Sequence, residues 1–542
     1  MTTSPTLPPL VSLGWRDYAA AALLALAVVA GASWRMVPGV VGVIDDDAIY
    51  AVTAKALAEG KGYHLVNLPG APPQNRYPIL YPALLALVCP TASTREAQVF
   101  AMQCTTAGLG ALALGLAYLY AVRSALSRRV AAFAGCLLAA SASNFLFYCS
   151  QPLSEMLFLV LLVVALWATE RRLRASESSA LADLLAGALL GLPLLSRTAG
   201  AVVPVAAAVV LLRHRKPVGW IVVGATLVAL PWFAWVLHSA ARTSDGVNAY
   251  QTDYFAWWGT NGSLTVPLAN VFKVGQSFSH IDLEAMSQWL YAETDAAAWI
   301  VFALGSLPWI AVSWRSRSVE LLPVTLLFYL ALICVWPWPP DRFLVPVLPF
   351  LAAMLVDGAL SLGARLGVSR SAAVVTAVAV TAAIVSNGAL VLRYASESRE
   401  SGYPYFALPD EPVQWSSFRT AFAWLDEHTG PDDVVASGFD AMTAFYTDRA
   451  AIRPFVFRPL SMYYGAPEPP LGTTAEFDAL LTKHAVRYML FTPMPAYPIE
   501  DAFFELVSGA VHEPGSLLRP VWQSTTDPRF VIFQVRSGLA RH

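Results

Sequence analysis

The chain has 542 residues, of which 56% are hydrophobic and 13% are charged. Soluble domains carry about 25% charged residues, so this composition excludes an ordinary soluble protein and predicts a membrane protein. The net charge of −2 argues against nucleic-acid binding. The five cysteines show no C-x-x-C spacing and lie in or beside apolar runs, which favours small buried side chains over a metal or disulfide role.

An apolar run of about 20 residues is needed to cross a bilayer as a helix. The sequence predicts eleven spans and, at 79–90, a shorter interfacial or re-entrant helix that Pro82 and Pro90 interrupt. The first span is interpreted as an uncleaved helix, since further spans follow it. The predicted spans are 17–39, 97–122, 130–148, 153–169, 180–196, 199–212, 218–238, 296–313, 319–336, 342–361 and 371–393.

Basic residues indicate the orientation of the spans, because they concentrate in cytoplasmic loops. With the N-terminus inside, every cluster of arginine and lysine between the spans falls on the cytoplasmic side, whereas counting 79–90 as a span would invert them all. The expected location is the inner (plasma) membrane, with three extracytoplasmic parts. These are a first outer loop (42–96), a second long outer loop (239–295) and the chain after residue 395.

Two domains are predicted, a transmembrane domain at 1–395 and an extracytoplasmic domain at 396–542. The second has turn signals, helical patterns and short β-type runs at Asp433–Ser437, Arg487–Thr492 and Phe530–Val535. The predicted fold class is therefore a polytopic all-α membrane protein with a C-terminal α/β domain. The aromatic second outer loop fits either interfacial anchoring or a lid over a site.

Three adjacent carboxylates, Asp45, Asp46 and Asp47, open the first outer loop beside the first span. Ionisable groups at a membrane boundary are costly, so they are a functional-site hypothesis by default. We assign Asp45 to a solvated helix N-terminus, where the dipole stabilises an acid, and expect its substitution to cost little. Asp46 and Asp47 are the candidate catalytic acids, and partial desolvation should raise the pKa of Asp46. Tyr50 lies one helical turn after Asp46 on the same face.

An enzyme site on the outer face can draw activated sugars from lipid carriers. Transfer from a polyprenyl phosphate needs a carboxylate to take the proton of the acceptor hydroxyl and cations to stabilise the departing phosphate. Arginine suits the second task because its planar fork pairs with phosphate oxygens. The candidates are Arg76, Arg342 and Arg197, and for Arg197 snorkelling to lipid headgroups is an equal alternative. Arginines can serve a monophosphate leaving group, so no cofactor is required, and a divalent cation at the acids stays open.

The pattern D-D-x-x-Y-x-x-x-A-x-x-L-x-x-G-x-G-Y at 46–63, followed by R-Y-P-x-L-Y-P at 76–82, resembles GT-C glycosyltransferases of the protein mannosyltransferase and aminoarabinose transferase type. The segments S-E-M-L-F at 154–158, S-R-T-A-G at 196–200 and D-R-F-L-V-P-V-L-P at 341–349 resemble recurring segments of the same family. The resemblance implies a membrane glycosyltransferase, usually inverting, with a polyprenyl-phosphate-sugar donor. The acceptor, a glycan, lipid or protein, is not specified by it.

The resemblance also implies roles for individual residues. Asp46 matches the catalytic acid of the family motif and Asp47 its second acid, while Arg76 matches the cation that contacts phosphate. Tyr81, in the same segment as Arg76, is a further substrate-binding candidate. The sequence has R-Y-P-I where the aminoarabinose branch has K-P-P-L, so neither that branch's sugar nor its lipid A acceptor is carried over.

A transporter or flippase of lipid-linked sugars is the alternative function. It would also need a polar site within the membrane, but it should show inverted repeats and interrupted helices at corresponding positions of two halves. The sequence shows no such repeat. A third reading, an interaction protein anchored by its spans, does not explain so many spans.

The orientation is tested with alkaline phosphatase, which is active only outside the cytoplasm. We expect a fusion after residue 400 to be active and a fusion near Arg215 to be inactive, because the basic clusters fix the cytoplasmic side. Enzyme activity of each fusion in intact cells, normalised to its expression, is the measurement. The reverse pattern would refute both the orientation and the outward-facing site.

Overall fold

A computed structural model describes residues 10–89, 94–124, 127–177, 179–240, 265–282, 321–336, 338–409, 411–495 and 499–536. Helices dominate the chain up to residue 401. They are α1 (Trp15–Arg35), α2 (Asp46–Ala58), α3 (Leu80–Ala86), α4 (Arg95–Arg123), α5 (Arg129–Ser141), α6 (Ser143–Ser150), α7 (Glu155–Arg174), α8 (Ala180–Ser196), α9 (Val202–Arg213), α10 (Gly219–Ala240), α11 (Thr265–Asp282), α12 (Leu321–Cys334), α13 (Asp341–Leu344), α14 (Leu348–Arg365) and α15 (Ser369–Ser401).

Every predicted span within the described residues contains helix. Five described helices are long and apolar enough to cross a membrane, or six if α5 and α6, bent by 68° at a short break, form one span. The chain is therefore an integral membrane protein. The predicted span at 296–313 and most of the second outer loop, except α11, lie outside the described residues. The total of eleven spans stays a prediction.

The N-terminal end and three of the predicted cytoplasmic loops, those after α4, α7 and α9, meet at one end of the described helices. Arg129 pairs with Asp17 at 2.8 Å, and the Ser124 hydroxyl donates to Glu170 at 2.9 Å. Lys216 donates to the carbonyl oxygen of Ala175 at 2.5 Å. These contacts join the N-terminal end to three later loops, as the predicted alternation of loops requires.

Small residues allow a close crossing between the helices α8 and α10. A Cβ added at Gly187 would lie 2.0 Å from the carbonyl oxygen of Ile221, and one at Gly224 would lie 2.1 Å from that of Leu184. Membrane helices gain little hydrophobic energy by associating, so they depend on such close backbone packing. The crossing orients the end of α8, where Arg197 follows.

The chain after α15 forms a five-stranded mixed sheet with helices. The strands are β1 (Val434–Ser437), β2 (Ala450–Ile452), β3 (Val486–Phe491), β4 (Leu518–Gln523) and β5 (Val531–Val535), in the order β2-β1-β3-β5-β4. Pairs β1–β2 and β1–β3 are parallel, whereas β5 pairs antiparallel with both β3 and β4. The helices are α16 (Trp415–His428), α17 (Asp440–Thr447), α18 (Pro459–Tyr464), α19 (Thr474–Lys483) and α20 (Glu500–His512).

The three predicted strands match β1, β3 and β5, and the predicted α/β character of this region is confirmed. The edge strands β2 and β4 were not predicted from the sequence. Helix α15 continues to Ser401, through the expected boundary at residue 395. The assignment of 1–395 and 396–542 as separate domains stays a prediction. The region from α16 to β5 is called the C-terminal domain.

Polar contacts hold the C-terminal domain against the first outer loop and the residues between α1 and that loop. The Tyr446 hydroxyl donates to the carbonyl oxygen of Gly39 at 2.7 Å, and the Ala451 N–H donates to that of Asn67 at 2.7 Å. Asp448 pairs with Lys55 and, at 2.7 Å, with Arg95. Burial raises the pKa of Asp448, but hydrogen bonds from Lys55 and Arg95 outweigh it and leave the pKa below its usual value. The domain and the loop therefore lie on the same side of the membrane.

Candidate active site

One cavity of about 700 Å³ collects most of the candidate residues. It lies between the first outer loop, the residues after α8, the segment from α12 to α13, and the C-terminal domain. Asp46, Tyr50, Arg76, Arg197 and Arg342 all line it. The sequence separates these residues by up to almost 300 positions, and the fold brings them to one place.

Asp46, the first residue of α2, faces this cavity with a side chain that is 14% exposed. One carboxylate oxygen accepts a hydrogen bond from the Tyr77 hydroxyl, and the other pairs with the Arg342 guanidinium. Both contacts stabilise the ionised form. The carboxylate is thus fixed in direction and charge while it remains accessible from the cavity.

The expected rise in the pKa of Asp46 is wrong for this arrangement. Burial does raise the pKa of the carboxyl, but the positive charges of Arg342 and Arg76 outweigh burial and leave it below its usual value. The sequence indicated that Asp46 would be partly desolvated, but the two arginines come close to it only in the folded chain. Asp46 is therefore a carboxylate at neutral pH, as proton acceptance requires.

Asp47, and not Asp45, binds the backbone at the entrance of α2. Asp47 makes the bonds at the helix entrance: its carboxylate oxygens accept the backbone N–H groups of Gly42, Val43 and Ile44 at 2.8–3.1 Å. Burial raises the pKa of Asp47, against the effect of these hydrogen bonds. The interpretation of Asp45 as a solvated acid is wrong, because its carboxylate is buried and pairs with Arg453 of the C-terminal domain.

Glu155 connects the arginines, and it was not among the residues predicted from the sequence. It is the first residue of α7, and its side chain is 0% exposed. It pairs with Arg197 at 2.5 Å and also with Arg342. The only signal in the sequence was an acid at the start of an apolar helix, in the S-E-M-L-F segment. Arg197, buried in this pair, does not snorkel to the membrane surface.

Arg76 lies beside aromatic rings at the edge of the cavity. Its guanidinium carbon is 5.2 Å from the ring centre of Tyr77 and 5.9 Å from that of Trp338. Such contacts hold an arginine by cation–π attraction while its N–H groups stay directed to other partners. Arg76 thus adds a guanidinium to the cavity that Arg197, Arg342 and Arg453 also line.

Of the two predicted tyrosines, Tyr50 lines the cavity and Tyr81 lies behind it. The Tyr50 hydroxyl is 2.9 Å from that of Ser154, and burial raises the pKa of Tyr50 to about 12, so this hydroxyl stays protonated. Tyr81 is fully buried and lies within hydrogen-bonding distance of Thr106, at 2.7 Å. Its ring packs edge-on against Tyr50 at 5.1 Å. Tyr81 therefore packs behind Tyr50 and is not among the described residues that line the cavity, so its contact with substrate stays a prediction.

An apolar wall continues the cavity away from the charged groups. It is formed by α9 and α12, and its side chains are Val202, Val205, Phe328, Leu332 and Ile333. A ligand with a charged head and a hydrocarbon tail fits this division. In the part of the chain that the structure describes, no three histidine, cysteine or acidic side chains form a group that could hold a metal ion.

Residues 76–236 match the family model described as dolichyl-phosphate-mannose-protein mannosyltransferase. No curated protein sequence matches the chain significantly. Among solved structures, ArnT from Cupriavidus metallidurans in the apo state is similar, with a TM-score of 0.53 at 15% identity over 95% of this chain and 96% of that chain.

The oligosaccharyltransferase of Archaeoglobus fulgidus is also similar. Its complex with Zn and sulfate gives a TM-score of 0.56 at 14% identity over 94% of this chain and 72% of that chain. The same enzyme tethered with an acceptor peptide containing the NVT sequon gives 0.55 at 14% identity over 97% and 74%. At such identities the structural likeness shows the shared fold. Together with the family match, it confirms the predicted resemblance to GT-C glycosyltransferases and the predicted enzyme class.

The role of Glu155 is tested by the substitution Glu155→Gln, which keeps the shape and removes the charge. We expect a large loss of stability, because breaking a buried ion pair leaves an uncompensated charge at a cost of about 3–5 kcal/mol. Thermal unfolding of the detergent-purified protein is the measurement. Glu170→Gln, on the same helix but hydrogen-bonded to Tyr120 and Ser124, is the matched control. Equal melting of both variants would show that the buried cluster is not a structural constraint.

Proposed function

We propose that this protein transfers a sugar from a polyprenyl-phosphate carrier to an acceptor on the extracytoplasmic face of the membrane. The observation that carries the proposal is the cavity in which the Asp46 carboxylate lies with Arg76, Arg197 and Arg342 at the head of an apolar wall. The family match supports a lipid-linked donor, because its description names dolichyl-phosphate-mannose. The distribution of basic residues supports the outward orientation.

The cavity suits the two ends of such a donor. The apolar wall of α9 and α12 accommodates a hydrocarbon chain, since it offers nothing polar that would be left unpaired. The phosphate would lie among Arg76, Arg197 and Arg342, where guanidinium groups form charge-assisted hydrogen bonds with its oxygens. The sugar is then placed between the phosphate and Asp46.

The proposed reaction is a single displacement. The acceptor hydroxyl oxygen attacks the anomeric carbon, the bond from that carbon to the phosphate oxygen breaks, and Asp46 takes the hydroxyl proton. The carrier leaves as a phosphate monoester with one more negative charge than the donor phosphodiester had. Attack from the face opposite the phosphate inverts the anomeric configuration, and the arginines stabilise the charge that develops on the leaving group.

Arg342 lies between the proposed base, Asp46, and the proposed phosphate position. It contacts Asp46 through one nitrogen and Glu155 through another. A guanidinium has five N–H donors, more than these two contacts require, so Arg342 can also meet a phosphate. The other three residues that we propose to bind the substrate are Arg76, Arg197 and Tyr50. The proposal requires no metal, and a divalent cation bound together with the phosphate is compatible with it.

The function is tested with purified protein in membrane-mimicking vesicles. The protein is supplied with a panel of radiolabelled polyprenyl-phosphate sugars and a membrane extract as the source of acceptors. Transfer of label into a product other than free sugar, dependent on the protein, is the expected result. Labelled donor that only crosses the vesicle membrane without forming a product would refute the proposal and identify a flippase.

The base is tested by Asp46→Asn, which keeps the shape and removes the basicity. A general base contributes about 10²–10⁴-fold, so transfer should fall by at least that factor while donor binding changes little. The measurement is the initial rate of transfer at saturating donor, with donor binding determined separately. Glu59→Gln, an acid at the end of the same helix, is the control and should keep parental activity. An active Asp46→Asn enzyme would exclude Asp46 as the base.

The phosphate contacts are tested by Arg76→Ala and Arg342→Ala. Each should lower donor use by about 10²-fold or more, because a phosphate in a dry site loses a charge-assisted partner. Arg342→Lys should recover only part of the activity, since an ammonium group cannot form the planar fork. Arg399→Ala removes a similar cation–π contact, over Trp34, away from the cavity and serves as the control. Parental kcat/KM in both alanine variants would place the phosphate elsewhere.

A further inference from the structure

The backbone directly before Asp46 is strained. Asp45 has φ +69° and ψ −55°, and the Asp46 N–H donates to the carbonyl oxygen of Ile44 at 2.8 Å. These values describe a γ-turn of the rare, strained form. An L-residue stays in such a conformation only where the surrounding structure holds it there, and such residues cluster at functional sites.

Two sets of contacts hold this turn. The first is internal to the loop, where the Asp47 carboxylate binds the backbone N–H groups of residues 42–44. The second comes from the C-terminal domain, whose Arg453 pairs with the carboxylate of Asp45. Asp45 is 7% exposed, and the Arg453 side chain is 12% exposed at the edge of the same cavity.

The C-terminal sheet positions Arg453 beside Asp45. Arg453 directly follows β2, and Asp440 comes shortly after β1, the parallel neighbour of β2. The carboxyl ends of parallel neighbours meet at one edge of a sheet, and there Arg453 donates to the buried Asp440 at 2.9 Å. The other oxygen of Asp440 accepts from Asn67 of the first outer loop at 3.4 Å. Arg453 is therefore fixed between a carboxylate of its own domain and one of the outer loop.

We propose that Arg453 is a positioning residue of the transfer reaction. It holds Asp45 and so keeps the strained turn in the form that directs the Asp46 carboxylate into the cavity. The C-terminal domain is then a working part of the active site and not an appended module. The proposal rests on the proposed function only for its effect on the rate, because the effect on the turn itself can be measured without substrate.

The test compares Arg453→Ala, Arg453→Lys and Asp45→Asn with the parent. Arg458→Ala is the matched control, since Arg458 also pairs with two carboxylates, Glu468 and Glu476, but both belong to the C-terminal domain. Two properties are measured on the full-length protein: kcat and KM for sugar transfer, and backbone hydrogen exchange in the peptides that cover residues 42–58.

We expect Arg453→Ala to lower kcat by about 10²-fold with a small change in donor KM, as a misplacement of about 1 Å can cause. Exchange in residues 42–58 should become faster, because the turn is released. Arg453→Lys should restore part of kcat and part of the protection from exchange. Asp45→Asn breaks the same ion pair from the loop side and should resemble Arg453→Ala. The double variant Asp45→Asn/Arg453→Ala should be no less active than either single variant, because both substitutions remove the same interaction.

The inference is overturned if Arg453→Ala matches Arg458→Ala in both kcat and exchange. If Arg453→Ala unfolds the C-terminal domain, faster exchange across β3 reveals it, and Asp45→Asn then decides because it leaves that domain untouched. Parental kcat and exchange in Asp45→Asn would also overturn the inference. An inactive Asp46→Asn beside a fully active Arg453→Ala refutes the positioning role alone, whereas an active Asp46→Asn refutes the proposed function.

Discussion

The site depends on a buried balance of charge. Glu155 and Asp46 supply two carboxylates, and Arg197 and Arg342 supply two guanidinium groups in contact with them. Glu155 lies at the start of α7, Arg197 after α8 and Arg342 in α13, so these ion pairs fix the relative positions of three elements and the first outer loop. A buried charge is tolerated only with its partners, so the four residues act as one unit. The direction of Asp46 and the opening of the cavity follow from this constraint.

The site residues that could be predicted from the sequence are recognisable from their immediate neighbours in the chain. Asp46, Arg76, Arg197 and Arg342 are charges at the ends of apolar runs, where a charge is expensive and its presence needs a reason. The spans and three of the five strands were predicted for a similar reason, since hydrophobic length and alternation are properties of short segments. These residues could be assigned to one site because the predicted topology placed them all on the same face.

The parts that the sequence did not predict depend on partners distant in the chain. Glu155 at a helix start is indistinguishable from an acid that the helix dipole stabilises, until two arginines are found against it. Arg453 is one arginine of a polar region, and its partner Asp45 is about 400 residues away. Asp45 is buried against Arg453 and Asp47 binds the helix entrance because of the strained turn at Asp45, which no residue type in this stretch predicts. The sign of the pKa shift of Asp46 likewise depends on Arg342 and Arg76, which only the fold brings near.

The low pKa of Asp46 has a place in the proposed reaction. A carboxylate held by a guanidinium is a weaker base, so Arg342 opposes proton transfer if Asp46 is considered alone. During transfer, however, Asp46 loses its negative charge by taking the proton, while the leaving phosphate gains one. The total charge of the cavity stays constant, because one negative charge moves from Asp46, which Arg342 contacts, to the phosphate. A cation placed between base and leaving group can therefore interact more strongly with the developing phosphate as its hold on Asp46 weakens. Arrangements of this kind stabilise the transition state because the dipoles and charges are in place before the reaction.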